Sequence, residues 1–214
     1  MKEIKLSNVV PEIFAERNDI GSDVWHRDIC FERGKSYLIE AASGTGKSSL
    51  CSYLYGQRGD YRGSILFDGV NVSKFDTAEW CRVRRESIAI LFQDLRLFGE
   101  LTAMENVEIK NRMTGCRTRA EIEAWFEELG IADKRNVRID RMSYGQQQRV
   151  ALIRALCQPF DILLLDEPIS HLDEQNSDIM RDIILREVAK NGAAIIATSI
   201  GKSMNINYDK RLKL

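Results

Sequence analysis

Three short stretches of this chain hold residue types that do chemistry together. The first is Ala41-Ala42-Ser43-Gly44-Thr45-Gly46-Lys47-Ser48. Its small side chains let successive backbone N–H groups curl around phosphate oxygens at the start of a helix. Lys47 then reaches the β- and γ-phosphates of a nucleotide, and the Ser48 hydroxyl suits a Mg²⁺ ion. The pattern is a phosphate-binding P-loop with Ala41 where a glycine is usual. Alanine serves there as long as the position does not need a positive φ. The second stretch is Ile162-Leu163-Leu164-Leu165-Asp166-Glu167. Four apolar residues make a strand buried on both faces, and two acids arrive at its C-terminal edge, where open α/β sheets bind ligands. Asp166 is placed to hold the metal's shell, directly or through water, and Glu167 to polarise an attacking water as general base. Alone, the pair reads as a strand ending in solvated acids; the P-loop upstream turns it toward phosphoryl chemistry. The third stretch is Met142-Ser143-Tyr144-Gly145-Gln146-Gln147-Gln148-Arg149. Ser143 and Gln146 stand at capping-box spacing, which alone reports only the start of a helix.

These stretches need a frame that holds them. Ser36-Tyr37-Leu38-Ile39 predicts a buried strand running into the P-loop, with a helix over 47–55 behind it. Gly63-Ser64-Ile65-Leu66-Phe67 predicts a strand closed by the turn Asp68-Gly69. Asp76 with Glu79 opens a helix through Arg85, and Ser87-Ile88-Ala89-Ile90-Leu91 is another strand. Over 102–129 the period changes to that of helices. Thr102 with Glu105 and Thr118 with Glu121 make two capping boxes, and Gly130 a C-terminal cap. A helix over 143–157, a strand over 162–165, a helix over 173–190 stopped at Gly192, and a strand over 193–198 complete the order. Strands alternating with helices imply a parallel sheet with crossover helices. The block from about 100 to 157 is then a helical lobe inserted into one α/β domain spanning 1–214.

Composition narrows the partners. The 214 residues carry 31 Lys plus Arg against 32 Asp plus Glu, a net charge of −1. Nucleic-acid binding through bulk positive charge is excluded, and so is an acidic disordered tail. At 44% hydrophobic and 29% charged residues the balance is that of a water-soluble fold. The apolar runs are too short to span a bilayer, so no direct membrane insertion is expected, and the N-terminus lacks the apolar core of a signal peptide. Cys30, Cys51, Cys81, Cys116 and Cys157 are widely spaced and form no CxxC pair, which predicts reduced, mostly buried thiols.

Taken together, the motifs and their order resemble the ATP-binding-cassette ATPases over nearly the whole chain, from about residue 2 to residue 199. The family's signature Leu-Ser-Gly-Gly-Gln is matched at Ser143, Gly145 and Gln146, with Met142 and Tyr144 read as conservative departures. Gln93 in Leu91-Phe92-Gln93-Asp94 is similar to the family's Q-loop glutamine. Leu172 and Asp173 are similar to its D-loop, and Phe14 to the aromatic that stacks on adenine. The resemblance implies an α/β P-loop NTPase: a RecA-like parallel sheet core, an antiparallel β subdomain and an inserted helical lobe. It implies ATP and Mg²⁺ as ligands. The ATP contacts would be Phe14, the loop from Ala41 through Ala42, Ser43, Gly44, Thr45, Gly46, Lys47 and Ser48 to Ser49, and Ser143, Gly145, Gln146 and Asp173. The metal would be held by Ser48, Gln93 and Asp166, and catalysis carried by Glu167 with Gln93. It further implies two cassettes paired head to tail, each ATP lying between the P-loop of one and the signature of the other. One departure is functional. Where the family has a switch histidine after the last core strand, this chain has Ser199. A serine hydroxyl has a shorter reach and carries no positive charge. Slowed hydrolysis is the expectation, with His171 in the D-loop as a second candidate for that role.

About 50 residues separate Gln93 from Ser143, enough for a compact lobe and too few for a long coiled coil. One P-loop and one signature argue against a two-cassette translation factor. The leading expectation is a transporter subunit working on a separate membrane permease, cytoplasmic and peripheral on the inner face of the membrane. Asp94-Leu95-Arg96-Leu97-Phe98 and the following 101–107 segment resemble the lipoprotein-releasing, macrolide-exporter and cell-division branch. Leu95, Leu97 and Phe98 then either line the groove for the permease or pack inside the lobe. No C-terminal regulatory domain is expected. Two other readings stay open: a catalytically weak ATP-binding regulatory module, and a soluble cassette without a membrane partner.

Overall fold

The computed structural model describes residues 1–17, 20–42, 44–170 and 172–214. In chain order the elements are β1 (Glu3–Pro11), β2 (Asp28–Glu32), β3 (Ser36–Glu40), α1 (Lys47–Leu54), β4 (Tyr61–Phe67), β5 (Val70–Asn71), α2 (Thr77–Glu86), β6 (Ile88–Leu91), α3 (Ala103–Asn111), α4 (Arg119–Glu128), α5 (Tyr144–Leu156), β7 (Ile162–Asp166), α6 (Glu174–Asn191), β8 (Ala194–Ser199) and β9 (Lys210–Lys213). Two sheets result: a five-stranded one ordered β6-β7-β8-β3-β9 and a four-stranded one ordered β2-β1-β4-β5. Each pairing between neighbours in the first is parallel, and each in the second antiparallel.

The parallel strands are apolar on both faces because each face has its own core. Tyr37, Ile39, Ile88, Ile90, Ile162, Leu164, Ala194 and Ile196 point into a cluster with β1, β2, β4 and α1. The residues between them, Leu38, Ala89, Leu91, Leu163, Leu165, Ile195 and Ala197, point into a second cluster with α3, α4, α5 and α6. This is the two-residue period of a strand, repeated across four neighbouring strands. It fixes the side on which the next residues project.

The helix starts expected from the sequence are present. Asp76 with Glu79, Thr102 with Glu105, Thr118 with Glu121 and Ser143 with Gln146 each form a full capping box. Asp173 caps α6, and Gly192 closes it in the left-handed conformation (φ 57°). Strands β1, β2, β5 and β9 have no counterpart among the elements expected from the sequence. β9 is Lys-Arg-Leu-Lys, one apolar residue among cations, and its place beside β3 makes it an edge strand. Opposite a bulge in β1, Gly63 (φ 92°) leaves no room for a side chain, since a Cβ there would stand 2.3 Å from the Asn8 carbonyl oxygen. All five cysteines are unpaired, but only Cys51 and Cys157 are buried, and Cys81 is exposed.

Candidate functional site

β3 delivers its C-terminal end to Ala41, whose N–H donates to the Ser199 carbonyl of β8 (3.3 Å). Gly44 (φ 80°) and Gly46 (φ 101°) then turn the chain through left-handed backbone that disfavours side chains. Gly46 is the N-cap of α1 and leaves its first amides without a side-chain cap. Such amides make a helix start an anion site. Trp25 braces the loop from below, its indole N–H donating to the Thr45 carbonyl (3.1 Å). A Cβ on Gly46 would sit 3.2 Å from the Trp25 ring and 3.4 Å from Phe14. The Thr45 hydroxyl donates to the Ala42 carbonyl (2.8 Å). Lys47, only 5% exposed, curls over its own loop, donating to the carbonyls of Ala42 (2.8 Å) and Ala41 (3.3 Å). Its Nζ lies 3.8 Å from the Glu167 carboxylate.

The two acids arrive as the strand period dictates. Asp166 follows Leu165 and projects to the α1 side of the sheet, where it is 5% exposed. Glu167 has left-handed backbone (φ 51°), a conformation that costs a non-glycine residue free energy and that marks functional turns. One hydroxyl ties the pair together. Thr198 Oγ1 donates to Asp166 Oδ1 (2.7 Å) and accepts the Glu167 N–H (3.1 Å). Thr198 is fully buried and stands in register with Asp166. Sequence reasoning missed it, because it stands as the last residue of an apolar strand. Burial, with the negative charges of Asp166 and Glu167 adding to it, keeps the nearby Cys51 thiol protonated.

Two cavities meet at this corner. One of about 280 Å³ is lined by Phe14, Gly44, Gly46, Lys47, Ser48, Ser49, Gln93 and Glu167, with Ile200 at its edge. The other, about 390 Å³, adjoins it at Ser48 and Gln93 and takes in Asp166 and Tyr144. The Ser48 hydroxyl donates to Gln93 Oε1 (3.3 Å). These two oxygens and Asp166 are hard donors of the kind Mg²⁺ takes. Ser49 accepts a hydrogen bond from Arg58 (3.0 Å). Thus Phe14, Lys47, Ser48, Gln93, Asp166 and Glu167 come together from distant places in the chain.

Other expected residues lie apart from this corner. Ser143 and Gln146 spend their side chains on capping α5, and Asp173 spends its own on Asn176 (2.8 Å) at the start of α6. Ser143, Gly145, Gln146 and Asp173 line neither cavity. Ser199 is 3% exposed and its hydroxyl has no partner among the described residues. Its neighbour Ile200, and not Ser199 itself, borders the P-loop cavity. Ser43 and His171 lie outside the described residues.

Tyr144 is not the conservative departure the sequence suggested. Its phenol donates to the Gln93 carbonyl (2.7 Å), a contact a glycine lacks. Of the three residues weighed for a surface groove, Leu95 packs into the core and Leu97 against it. Phe98 is 56% exposed and borders a cavity of about 240 Å³ with Tyr55, Phe92, Ile109, Lys110 and Arg154. Burial, with the Arg154 charge adding to it, lowers the Lys110 pKa to about 8.

Known proteins fit this geometry. The family profile described as ABC transporter matches residues 26–170. The macrolide export ATP-binding/permease protein MacB of Shewanella sp. (strain ANA-3) is 34% identical over 172 residues, which is 79% of this chain and 26% of that protein. The chain therefore spans about a quarter of the length of such relatives. An uncharacterized ABC transporter ATP-binding protein of Mycobacterium tuberculosis is 30% identical over 192 residues, 88% of this chain and 77% of that one. A bacterial ABC transporter cassette solved as a dimer superposes with a TM-score of 0.77 at 25% identity, covering 92% of this chain and 87% of its own. The same cassette in a post-hydrolysis dimer bound to ADP and Pi gives 0.74 at 26%. With the parallel core, the antiparallel sheet and the P-loop corner described above, these matches mean that the chain belongs to the ABC transporter family of ATP-binding cassettes.

Proposed function

We propose that this chain is the ATP-binding subunit of a transporter, hydrolysing ATP to drive a separate membrane permease. The observation that carries the reading is the convergence of Lys47, Ser48, Gln93, Asp166 and Glu167 on one corner of the sheet. The P-loop amides and Lys47 bind the β- and γ-phosphates, and Phe14 at the cavity edge takes the adenine. Ser48 and Gln93, with Asp166 behind them, would hold Mg²⁺. A bound Mg²⁺ would supply positive charge to offset the negative charge that develops on the phosphates. Glu167 orients the attacking water and accepts its proton, and the left-handed backbone aims its carboxylate toward Lys47. Ser143, Gly145 and Gln146 lie away from their own P-loop, which suits a role at the nucleotide of a second cassette. The likeness to a bacterial cassette that was solved as a dimer supports that pairing.

The single cassette carries its helical lobe over about residues 100–157. The likeness to MacB and the 94–107 segment favour the macrolide-exporter branch. Phe98, Ile109 and the cavity between them form the surface offered to the permease, which leaves Leu95 to the core. Among the described residues no helix is long and apolar enough to cross a membrane. On its likeness to transporter ATP-binding proteins, the subunit is placed at the cytoplasmic face, attached through the permease. A second reading, a weakly hydrolysing regulatory module, rests on Ser199 alone. Steady-state ATP hydrolysis with Mg²⁺, run beside Glu167→Gln, separates the two. Turnover that collapses in the variant establishes a working motor. ATP binding without turnover, persisting after a candidate permease is added, overturns the motor and leaves the module.

A further inference from the structure

The position that is glycine in the family signature is a tyrosine here, and its side chain reaches 51 residues back along the sequence. The Tyr144 hydroxyl donates to the Gln93 carbonyl at 2.7 Å. Three turns further along α5, Arg154 donates to the carbonyls of Leu95 (2.5 Å) and Arg96 (2.6 Å). Those two residues are consecutive non-glycines in left-handed backbone (φ 56° and 48°). Such a pair persists only when its surroundings hold it. One helix therefore grips the 93–96 segment at both ends. The Gln93 side chain in turn accepts a hydrogen bond from Ser48 at the first turn of α1 (3.3 Å).

We propose that Tyr144 is a positioning residue that ties the start of α5 to Gln93 within one chain. Through that bond it sets where the Gln93 side chain stands relative to Ser48, and so how well the pair would hold Mg²⁺. This rests on the reading of Ser48 and Gln93 as metal-holding groups. Tyr144 has no part in the bonds made or broken. It acts through the Gln93 backbone and sets where one oxygen donor stands.

Tyr144→Phe removes the hydroxyl and keeps the ring. Two measurements test it. In the nucleotide-free chain, hydrogen exchange at the Leu95 and Arg96 amides is expected to run about three- to tenfold faster, the worth of one hydrogen bond. In steady-state hydrolysis, the Mg²⁺ concentration for half-maximal rate is expected to rise by roughly the same factor, while ATP affinity without metal stays within about twofold. In a Gln93→Ala background Tyr144→Phe should add nothing to the Mg²⁺ requirement, because the two act as one unit. Unchanged amide exchange overturns the tie. Faster exchange with an unchanged Mg²⁺ requirement overturns its role in positioning. An additive effect with Gln93→Ala means that Tyr144 merely stabilises the lobe and also overturns the proposal. Failure of the underlying reading would look different: the unmodified chain would show no Mg²⁺-dependent turnover, while the exchange result would stand by itself.

Discussion

The edge of β7 and β8 and the start of α5 are built on opposite plans. At the first, Lys47, Asp166 and Glu167 are nearly buried and bonded to groups of their own chain: loop carbonyls and the Thr198 hydroxyl. At the second, Ser143 is exposed with its side chain spent on capping α5, and the Tyr144 hydroxyl reaches back to the Gln93 carbonyl. The first region is organised by folding alone. The second lies nearer the surface, and on the proposed pairing it would serve a nucleotide held by another cassette. A substitution at the buried corner should therefore act on a single chain, and one at Ser143 or Gly145, unlike Tyr144, should on the proposed pairing act through assembly.

The largest test of the self-sufficient corner is Glu167→Gln. Loss of a general base lowers turnover by roughly 10² to 10⁴, while nucleotide binding persists. Equilibrium binding measured beside hydrolysis should show the two parting, and wild-type turnover in the variant would remove Glu167 from the role of base. Lys47→Ala comes next. Without the buried cation the phosphates lose a charge-assisted contact of about 1.5–3 kcal/mol, so ATP affinity should fall by about one to two orders of magnitude. Titration with a fluorescent nucleotide reads this directly. Affinity that does not move would mean that the backbone amides alone hold the phosphates.

How far these regions are legible in the sequence follows from where their information lies along the chain. The P-loop and the Asp166-Glu167 strand are contiguous, and contiguous patterns carry their own context. The four capping boxes are legible for the same reason, since each is complete within four residues. β1 and β2 do alternate apolar with polar residues, the signal of a half-buried strand that sequence reasoning passed over, and β9 carries a single apolar residue. Thr198 escapes notice because its role depends on register between two strands, Asp166 opposite Thr198. Strands of nearly equal length, each ending in a polar residue, are the signal that could have exposed it. Tyr144 is misjudged because a substitution inside a motif says what was lost there and not what the new side chain reaches.

Thr198 sharpens the comparison at intermediate size. Thr198→Val keeps the shape and deletes the hydroxyl, leaving Asp166 Oδ1 and the Glu167 N–H without that partner in a buried place. An unsatisfied buried group costs about 1–3 kcal/mol. Melting should occur several degrees lower, and turnover should drop by about tenfold as the acids lose their common tether. Thr198→Ser retains the hydroxyl and should recover most of both. Equal losses in Val and Ser variants would show that the methyl packing matters and the tether does not.

The smallest effect belongs to the lobe side, where Lys110 donates to the Arg84 carbonyl (3.2 Å) in a half-buried pocket beside Arg154. Burial and the Arg154 charge set its pKa at about 8, below the 10.5 of an unhindered lysine. The unfolded chain therefore binds this proton more tightly than the folded one between those values. Stability rises with pH across that window, and the penalty is fully present below about pH 8. Lys110→Met removes the charge and keeps an apolar stem for Phe98 and Ile109 to pack on. At neutral pH it should raise the melting temperature by about 2–4 °C, the shift expected of a ~1 kcal/mol change in a chain of this size. The gain should shrink as pH rises from about 8 to 10.5 and be gone above that, where the lysine is neutral in both states. A gain that is flat with pH would assign it to packing, and a loss at neutral pH would mean that the Arg84 carbonyl needs this donor more than the pocket resists its charge.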